Sequence, residues 1–320
     1  MGSVRNVSDV HSADVEGALA RIRTRIHHTP VVTCASLDRL VGAGLRFKCE
    51  NLQKTGSFKI RGACNAVYSL DDRDASRGVA AHSSGNHAAA LAQAAAWRGI
   101  PATVVVPESA SPVKRAAAER YGATIVPCGA GQAAREQALD DLVSRTGAVV
   151  VHPHDSPEVI AGQGTAVLEM CMQVPDLDAV LVPVGGGGLL AGSALAARRC
   201  PGPVSVIGVE PERVDDAARS LRAGVRQPPT DAGSVADGLL TSLGELPFRI
   251  IQSEVDDIVT VPEADIVRAM RLIWERAKLI VEPSSAVPFA ALLGDDLDLG
   301  GKTVGVVLSG GNVNLDALPW

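Results

Sequence analysis

Five apolar runs rich in β-branched residues recur along this 320-residue chain, at positions 103–106, 148–151, 180–182, 204–209 and 303–308. Each is continuous rather than alternating, as expected of strands covered on both faces in a parallel sheet. Alanine-rich stretches at 86–97, 111–121 and 131–144 lie between them and read as helices, with Pro112 at a favourable helix start. Strand and helix alternating in this way predict an α/β protein with mostly parallel sheets. The length suits two domains, and a hydrophobic content of 46 % is ample for burying their cores. No repeat array or low-complexity linker interrupts the pattern, and the Pro- and Gly-rich stretch 223–233 reads as a surface loop.

The run at 180–182 leads into Gly185-Gly186-Gly187-Gly188 and then into a predicted helix over 189–198. Four glycines leave the backbone bare, so consecutive N–H groups can turn toward one anion, and the helix N-terminus adds its dipole. No GxxxxGK[ST] is present and these glycines do not fall as GxGxxG, which disfavours the nucleotide-binding alternatives. Tight strand-to-helix turns also use glycine for steric reasons, so a phosphate site and a plain turn both stay open on this run alone. A second feature favours the phosphate. The chain has six lysines against twenty-four arginines, and two of the six, Lys54 and Lys59, fall in the polar loop Glu50–Ser57 and the predicted helix start that follows it. Only a primary amine condenses with an aldehyde, so Lys59, between Phe58 and Ile60 where it can be desolvated, reads as an aldehyde-bound lysine and suggests pyridoxal phosphate (PLP). The alternative is a solvated surface lysine. Lys54, beside Thr55 and Gly56, reads as a loop lysine in an ion pair.

Four motifs in order carry a family likeness: Ser57-Phe58-Lys59-Ile60-Arg61-Gly62-Ala63, Ser83-Ser84-Gly85-Asn86-His87, the tetraglycine loop, and Ser309-Gly310-Gly311-Asn312. On these the sequence resembles the fold-type II PLP enzymes, specifically serine racemases and serine/threonine dehydratases, over about residues 45–314. The resemblance implies a tryptophan synthase β-like fold. A large PLP-binding domain would comprise 1–77 plus 156–320, a small mobile domain 78–155, and the cofactor would lie in the cleft between them. It further implies cofactor contacts from Lys59, Phe58, Asn86, Gly185, Gly186, Gly187, Gly188, Leu189, Glu282, Ser309 and Gly310. Ser83, Ser84, Asn86 and His87 would grip the substrate carboxylate, with Arg135 and Asp237 near the substrate. Each has a plain alternative: a helix cap at 83–87, a turn serine at 309, a helix-surface ion pair for Arg135, and an ordinary Asp-Gly turn at 237.

By the same resemblance Lys59 and Ser84 are the catalytic pair, on opposite faces of the substrate, and a Ser84 hydroxyl needs a neighbouring proton relay to act as a base. A neutral hydroxyl at Ser309, rather than a carboxylate, would weaken electron withdrawal by the ring and favour loss of a β-leaving group. The expected reaction is elimination of water from L-serine, L-threonine or 3-hydroxyaspartate to a keto acid and ammonia, with racemisation as a second activity. A predominantly racemising enzyme and a non-catalytic PLP-binding regulator are the alternatives. Serine racemases also imply a divalent site, here Glu210, the Val214 carbonyl and Asp216, suited to Mg²⁺ or to Mn²⁺ or Ca²⁺; acidic loops are otherwise merely solvated. Many racemases have asparagine where this chain has His154, a departure that could shift preference toward threonine-like or acidic substrates.

A net charge of −6 and a pI near 5.7 leave no basic stripe for nucleic acid. No apolar run approaches the ~20 residues needed to span a bilayer, and the first residues lack a signal-peptide core. Six scattered cysteines with no CxxC read mostly as small core residues in a reducing, cytoplasmic compartment. The implied partner is a small amino acid, and the implied assembly a homodimer. With the chain running only to Trp320, no C-terminal regulatory domain is expected.

Overall fold

A computed structural model describes residues 10–83, 85–108, 119–230, 232–294 and 297–320. Among the described residues there are ten strands: β1 (Val31–Val32), β2 (Gly44–Cys49), β3 (Val79–His82), β4 (Ala102–Pro107), β5 (Thr124–Cys128), β6 (Val149–Val150), β7 (Ala179–Pro183), β8 (Ser205–Pro211), β9 (Asp257–Val261) and β10 (Thr303–Leu308). They form a six-stranded sheet, ordered β1-β2-β10-β7-β8-β9, and a four-stranded sheet, ordered β5-β4-β3-β6. Every pair is parallel except β1 with β2. All five continuous apolar runs of the sequence are strands.

The absence of alternation has a direct cause in β7, which is buried at every position. Val180 and Val182 face a core shared with helices Pro157–Gln173 and Gly188–Ala197, whereas Leu181, on the other face, packs with Phe47, Val306 and Phe289. Both faces are apolar because both are covered, and each such side chain contributes about 1.5–3 kcal/mol. The small sheet builds its own core around Val104, Leu91 and the alanines of helix Asn86–Arg98. The helix expected over 111–121 falls mostly outside the described residues. Helices Gln132–Thr146 and Asn86–Arg98 form as predicted.

The helix carrying Lys59, Lys59–Ser69, lies backbone to backbone on Pro157–Gln173. A Cβ built on Gly162 would come within 2.6 Å of the Gly62 Cα, so only glycine admits that approach. The approach brings the start of the Lys59 helix up to the carboxyl ends of β2, β7 and β10, the edge where ligands of open α/β sheets bind.

Two expectations need correction. Cys171 and Cys200, 5.1 Å apart at Cα, form a disulfide because the packed helices bring the two together across 29 residues of sequence; Cys34, Cys49, Cys64 and Cys128 are free. Lys54 makes no ion pair among the described residues: its ammonium sits 4.9 Å over the Trp97 ring, a cation–π contact in place of a carboxylate. No described helix is long and apolar enough to cross a membrane.

Candidate active site

The loop before Lys59 is fixed at both ends. Ser57 bridges to Gly310, and the Phe58 N–H donates to the Ser309 carbonyl at 2.9 Å, so the lysine loop and the residue after β10 run side by side. Lys59 is the first residue of its helix, and Nζ donates to the Pro153 carbonyl at 2.9 Å. Burial lowers its pKa to about 8, against the upward pull of Glu282. Two residues on, the buried Arg61 guanidinium pairs with Glu50 at 2.6 and 2.8 Å and with Glu169 at 2.9 and 2.8 Å, and Lys48 adds a fourth charge at 2.8 Å from Glu169. This buried network pins the first turn of the Lys59 helix to the six-stranded sheet and to helix Pro157–Gln173.

Between Gly185 and Leu190 no backbone N–H finds a hydrogen-bond acceptor among the described residues. Such a run of unpaired donors at a helix N-terminus can receive an anion. The glycines serve packing as well. Gly187 has φ of 82°, and a Cβ there would strike Leu243 and Pro247, while one on Gly186 would lie 2.3 Å from the His154 ring. The close packing supports the steric reading of the glycines, and the free N–H groups leave the phosphate reading open.

Across from the loop, the Asn86 amide donates to both Glu282 oxygens at 3.0 and 3.2 Å and accepts from Asn312 at 2.9 Å. Glu282 donates its N–H to the Gly310 carbonyl, and Gly310 donates its own to Ser285 Oγ. Ser309 is buried, and its hydroxyl has no hydrogen-bond partner among the described residues. Lys59, Phe58, Asn86, Glu282, Ser309 and Gly310 are thus brought into one contiguous neighbourhood.

The substrate-side residues fall less uniformly. Ser83 donates its N–H to Val105 and accepts from Gly85 at 3.4 Å, and Ser84 lies outside the described residues. His87 is buried: Nε2 donates to the Val151 carbonyl at 2.9 Å, leaving Nδ1 without a partner, and burial together with the nearby Lys59 lowers its pKa to about 3. Arg135, on helix Gln132–Thr146, donates to the Gly131 carbonyl; its charge adds to burial in lowering His82. Asp237 opens the exposed turn Asp237–Leu239, whose Gly238 N–H is held by Ser284.

One segment carries more than its sequence announces. In His152-Pro153-His154-Asp155, His152 Nδ1 accepts the Asp155 N–H at 2.8 Å, Pro153 holds Lys59, and Asp155 caps helix Glu245–Glu254 by accepting from Glu245 and Leu246 at 3.0 and 2.9 Å. His82, His152 and His154 stack edge to face, with centroids 6.0 and 4.6 Å apart. Burial lowers all three, His152 to about 4. Two histidines and an aspartate just after a strand were the visible signal, but nothing in the spacing pointed them at Lys59 or the glycine loop.

At the expected metal site, Glu210 is buried and accepts from Ala217 and Ala218 at 3.2 and 2.8 Å, and Asp216 accepts from Leu243 at 2.9 Å. Burial raises both carboxyls, and each further carboxylate nearby adds to the effect. No group of three or more His, Cys, Asp or Glu side chains suited to an ion occurs among the described residues. The donor set of two carboxylates and a main-chain carbonyl is all oxygen, the chemistry of a hard cation.

Residues 22–310 match the family described as "Pyridoxal-phosphate dependent enzyme". The chain is 46 % identical over 307 residues to a beta-hydroxyaspartate dehydratase of Paracoccus denitrificans (strain Pd 1222), covering 96 % of this chain and 98 % of that one. It is 48 % identical over 311 residues to a serine racemase of Dictyostelium discoideum, covering 95 % of each. The fold superposes on the crystal structure of a threonine deaminase from T.th. with a TM-score of 0.88 at 45 % identity, covering 95 % and 99 % of the two chains. The residues present fit the cofactor of that family: a buried amine of lowered pKa, a partnerless N–H run for its phosphate and an unpaired hydroxyl at Ser309. With site and likeness in agreement, the chain belongs to the pyridoxal-phosphate-dependent enzymes of fold type II.

Proposed function

We propose that this chain eliminates water from small β-hydroxy amino acids, giving a keto acid and ammonia, and inverts Cα as a second activity. The observation that carries the reading is the juxtaposition of the buried Lys59 amine with the unpaired Ser309 hydroxyl, beside the orphaned donors of the glycine loop. PLP, when bound, draws electrons away from the Cα–H bond of an amino acid, which both reactions need. Lys59, about one-fifth unprotonated at pH 7.4 if its pKa is near 8, can take a proton at Cα; its Nζ is aimed by the Pro153 carbonyl. Ser309 offers a neutral hydroxyl rather than a charge to the ring, which supports departure of the β-hydroxyl over a long-lived carbanion. Glu282 positions Asn86 and tempers the desolvation of Lys59. Ser84 is the second catalytic group that the family resemblance implies.

Substrates reach from L-serine and L-threonine to 3-hydroxyaspartate; the 46 % identity to a beta-hydroxyaspartate dehydratase supports the acidic one. A divalent cation on Glu210, the Val214 carbonyl and Asp216 is structural or regulatory. Residues 78–155 form a small mobile domain over the cleft, and the assembly is a cytoplasmic homodimer; mass in solution tests the last. The function is tested by incubating purified protein with each substrate and following keto acid and D-serine separately. Lys59→Ala must abolish both. Ser84→Ala must remove D-serine and retain keto acid, and an equal fall of both products would reduce Ser84 to a binding residue. Turnover undiminished in Lys59→Ala would end the proposal.

A further inference from the structure

The helix that presents Lys59 begins without a side-chain cap of its own. Phe58, the residue before it, carries no group able to hold the first N–H donors, which a helix leaves unpaired at this end. The Phe58 carbonyl takes the Arg61 N–H at 2.9 Å, a tighter closure than the α-helical one. The next donor, the Gly62 N–H, leaves the helix. It donates at 3.1 Å to Oε1 of Gln163, a residue 101 positions away on helix Pro157–Gln173.

Gln163 is buried, and its amide lies against the Gly62 backbone: a Cβ built on Gly62 would come within 2.4 Å of Nε2 and 2.7 Å of Cδ. A side chain at position 62 would therefore evict the amide. The donor it faces sets which end of that amide points at Gly62, since a backbone N–H needs the oxygen. The other end, Nε2, is buried with no hydrogen-bond partner among the described residues. A buried N–H left unpaired is costly, and a methionine of similar length would avoid that cost. An amide in this contact is accounted for by what its oxygen does. The neighbouring Gly162, closely approached by the Gly62 backbone, holds the two helices at the separation that delivers the oxygen. Arg61 ties down the side-chain side of this turn through Glu50 and Glu169, and Gln163 ties down its backbone.

We propose that Gln163 is a positioning residue for Lys59, its side-chain oxygen capping the Gly62 N–H and so fixing the helix start from which the amine is aimed. This rests on the reading of Lys59 as the base of the proposed reaction. Gln163 acts through the backbone of that turn.

The test breaks the contact from each side. Gln163→Met keeps the length of the side chain without the oxygen, and Gly62→Ala keeps Gln163 but displaces its amide. In the holoenzyme with L-serine, each should lower kcat for keto-acid formation roughly tenfold or more and leave KM within about threefold, since the base is misplaced and the binding groups are not. In the apo-protein, amide hydrogen exchange over 59–63 should quicken, and the pH midpoint for acylation of Lys59 should rise toward the ordinary lysine value as water reaches the amine. Gln163→Glu, kept uncharged by burial, retains an acceptor oxygen and should hold kcat within about threefold of the parent. The double variant Gln163→Met with Gly62→Ala should lose no more than either single one, because both remove one bond. Val167→Ala, one turn further along the same helix, opens a cavity and should lower the melting temperature without moving kcat or the Lys59 midpoint.

Unchanged kcat in either single variant, multiplied losses in the double, or an equal kcat loss in Val167→Ala would make Gln163 a packing residue and overturn the proposal. So would a loss of kcat with exchange over 59–63 unaltered. Should Gln163→Met not fold, Gly62→Ala and Gln163→Glu decide on the same readouts. Failure of the parent to form keto acid would instead overturn the reading of the reaction, and exchange and acylation would still judge Gln163.

Discussion

The lowered pKa of Lys59 can be read without any cofactor. In water a lysine amine titrates near 10.4, so at pH 7.4 about one in a thousand molecules carries the free base. Burial lowers the Lys59 value to about 8, with Glu282 holding it from falling further. At pH 7.4 about 20 % of the amine is then unprotonated, on the order of two hundred times more than for an exposed lysine. Competitive acylation of the apo-protein with acetic anhydride, quantified by mass spectrometry of the Lys59 and Lys302 peptides, measures this directly. Because only the free base reacts, labelling of Lys59 should rise with pH through a midpoint near 8 and level off, while exposed Lys302 keeps rising past pH 10. Removing the carboxylate in Glu282→Gln takes away the one upward influence, so the midpoint should move below that of the parent. A Lys59 midpoint at the ordinary lysine value would show that water reaches the amine, and no movement in Glu282→Gln would show that Glu282 is not its electrostatic partner.

Three further outcomes follow from the geometry. Arg61→Met leaves the buried Glu50 and Glu169 carboxylates facing each other with only Lys48 between, which should cost about 3–5 kcal/mol in urea unfolding; adding Glu50→Gln and Glu169→Gln should recover part of it, and a loss under 1 kcal/mol would refute the network's role. Asp155→Ala uncaps helix Glu245–Glu254 and should cost about 1–2 kcal/mol, with faster amide hydrogen exchange at 245–248 and unchanged exchange in β4. Millimolar Mg²⁺ should raise the melting temperature of the parent and not of Glu210→Gln; equal shifts in both would remove Glu210 from the ligand set.

How much of this was legible in the residues depends on the distance over which each signal acts. Strands such as β7 and β10 were legible because burial on both faces imposes apolarity on every residue, a local mark. Lys59 was legible because lysine is scarce here and its chemistry is singular. The His152–Asp155 turn was not legible, since its meaning lies in what it meets: Lys59 is 94 residues away along the chain from Pro153, and Leu246 is 91 from Asp155. The Cys171–Cys200 pair was missed for the same reason, its 29-residue separation being closed by two helices whose packing no spacing rule encodes. Arg61 was quoted as part of a motif, but its burial against two glutamates 11 and 108 residues distant could not be read from it.

The tetraglycine loop bears on a choice that the sequence left open. One reading made the glycines bare so that backbone could reach an anion; the other made them small so that a turn could pack. The structure shows the packing demand and is compatible with the other, because the two would act on different groups of the same peptides. On the Cβ side Gly186 admits His154 and Gly187 admits Leu243 and Pro247, so any side chain there collides with protein. On the N–H side the donors from Gly185 to Leu190 are left without acceptors. Packing on the first side is what holds the second in place: Asp155 caps the helix that supplies Pro247, and the turn carrying Asp155 also carries His154 and the carbonyl that aims Lys59. A single four-residue turn therefore couples the rigidity of the glycine loop to the placement of the amine, and a substitution that loosens it should be felt at both.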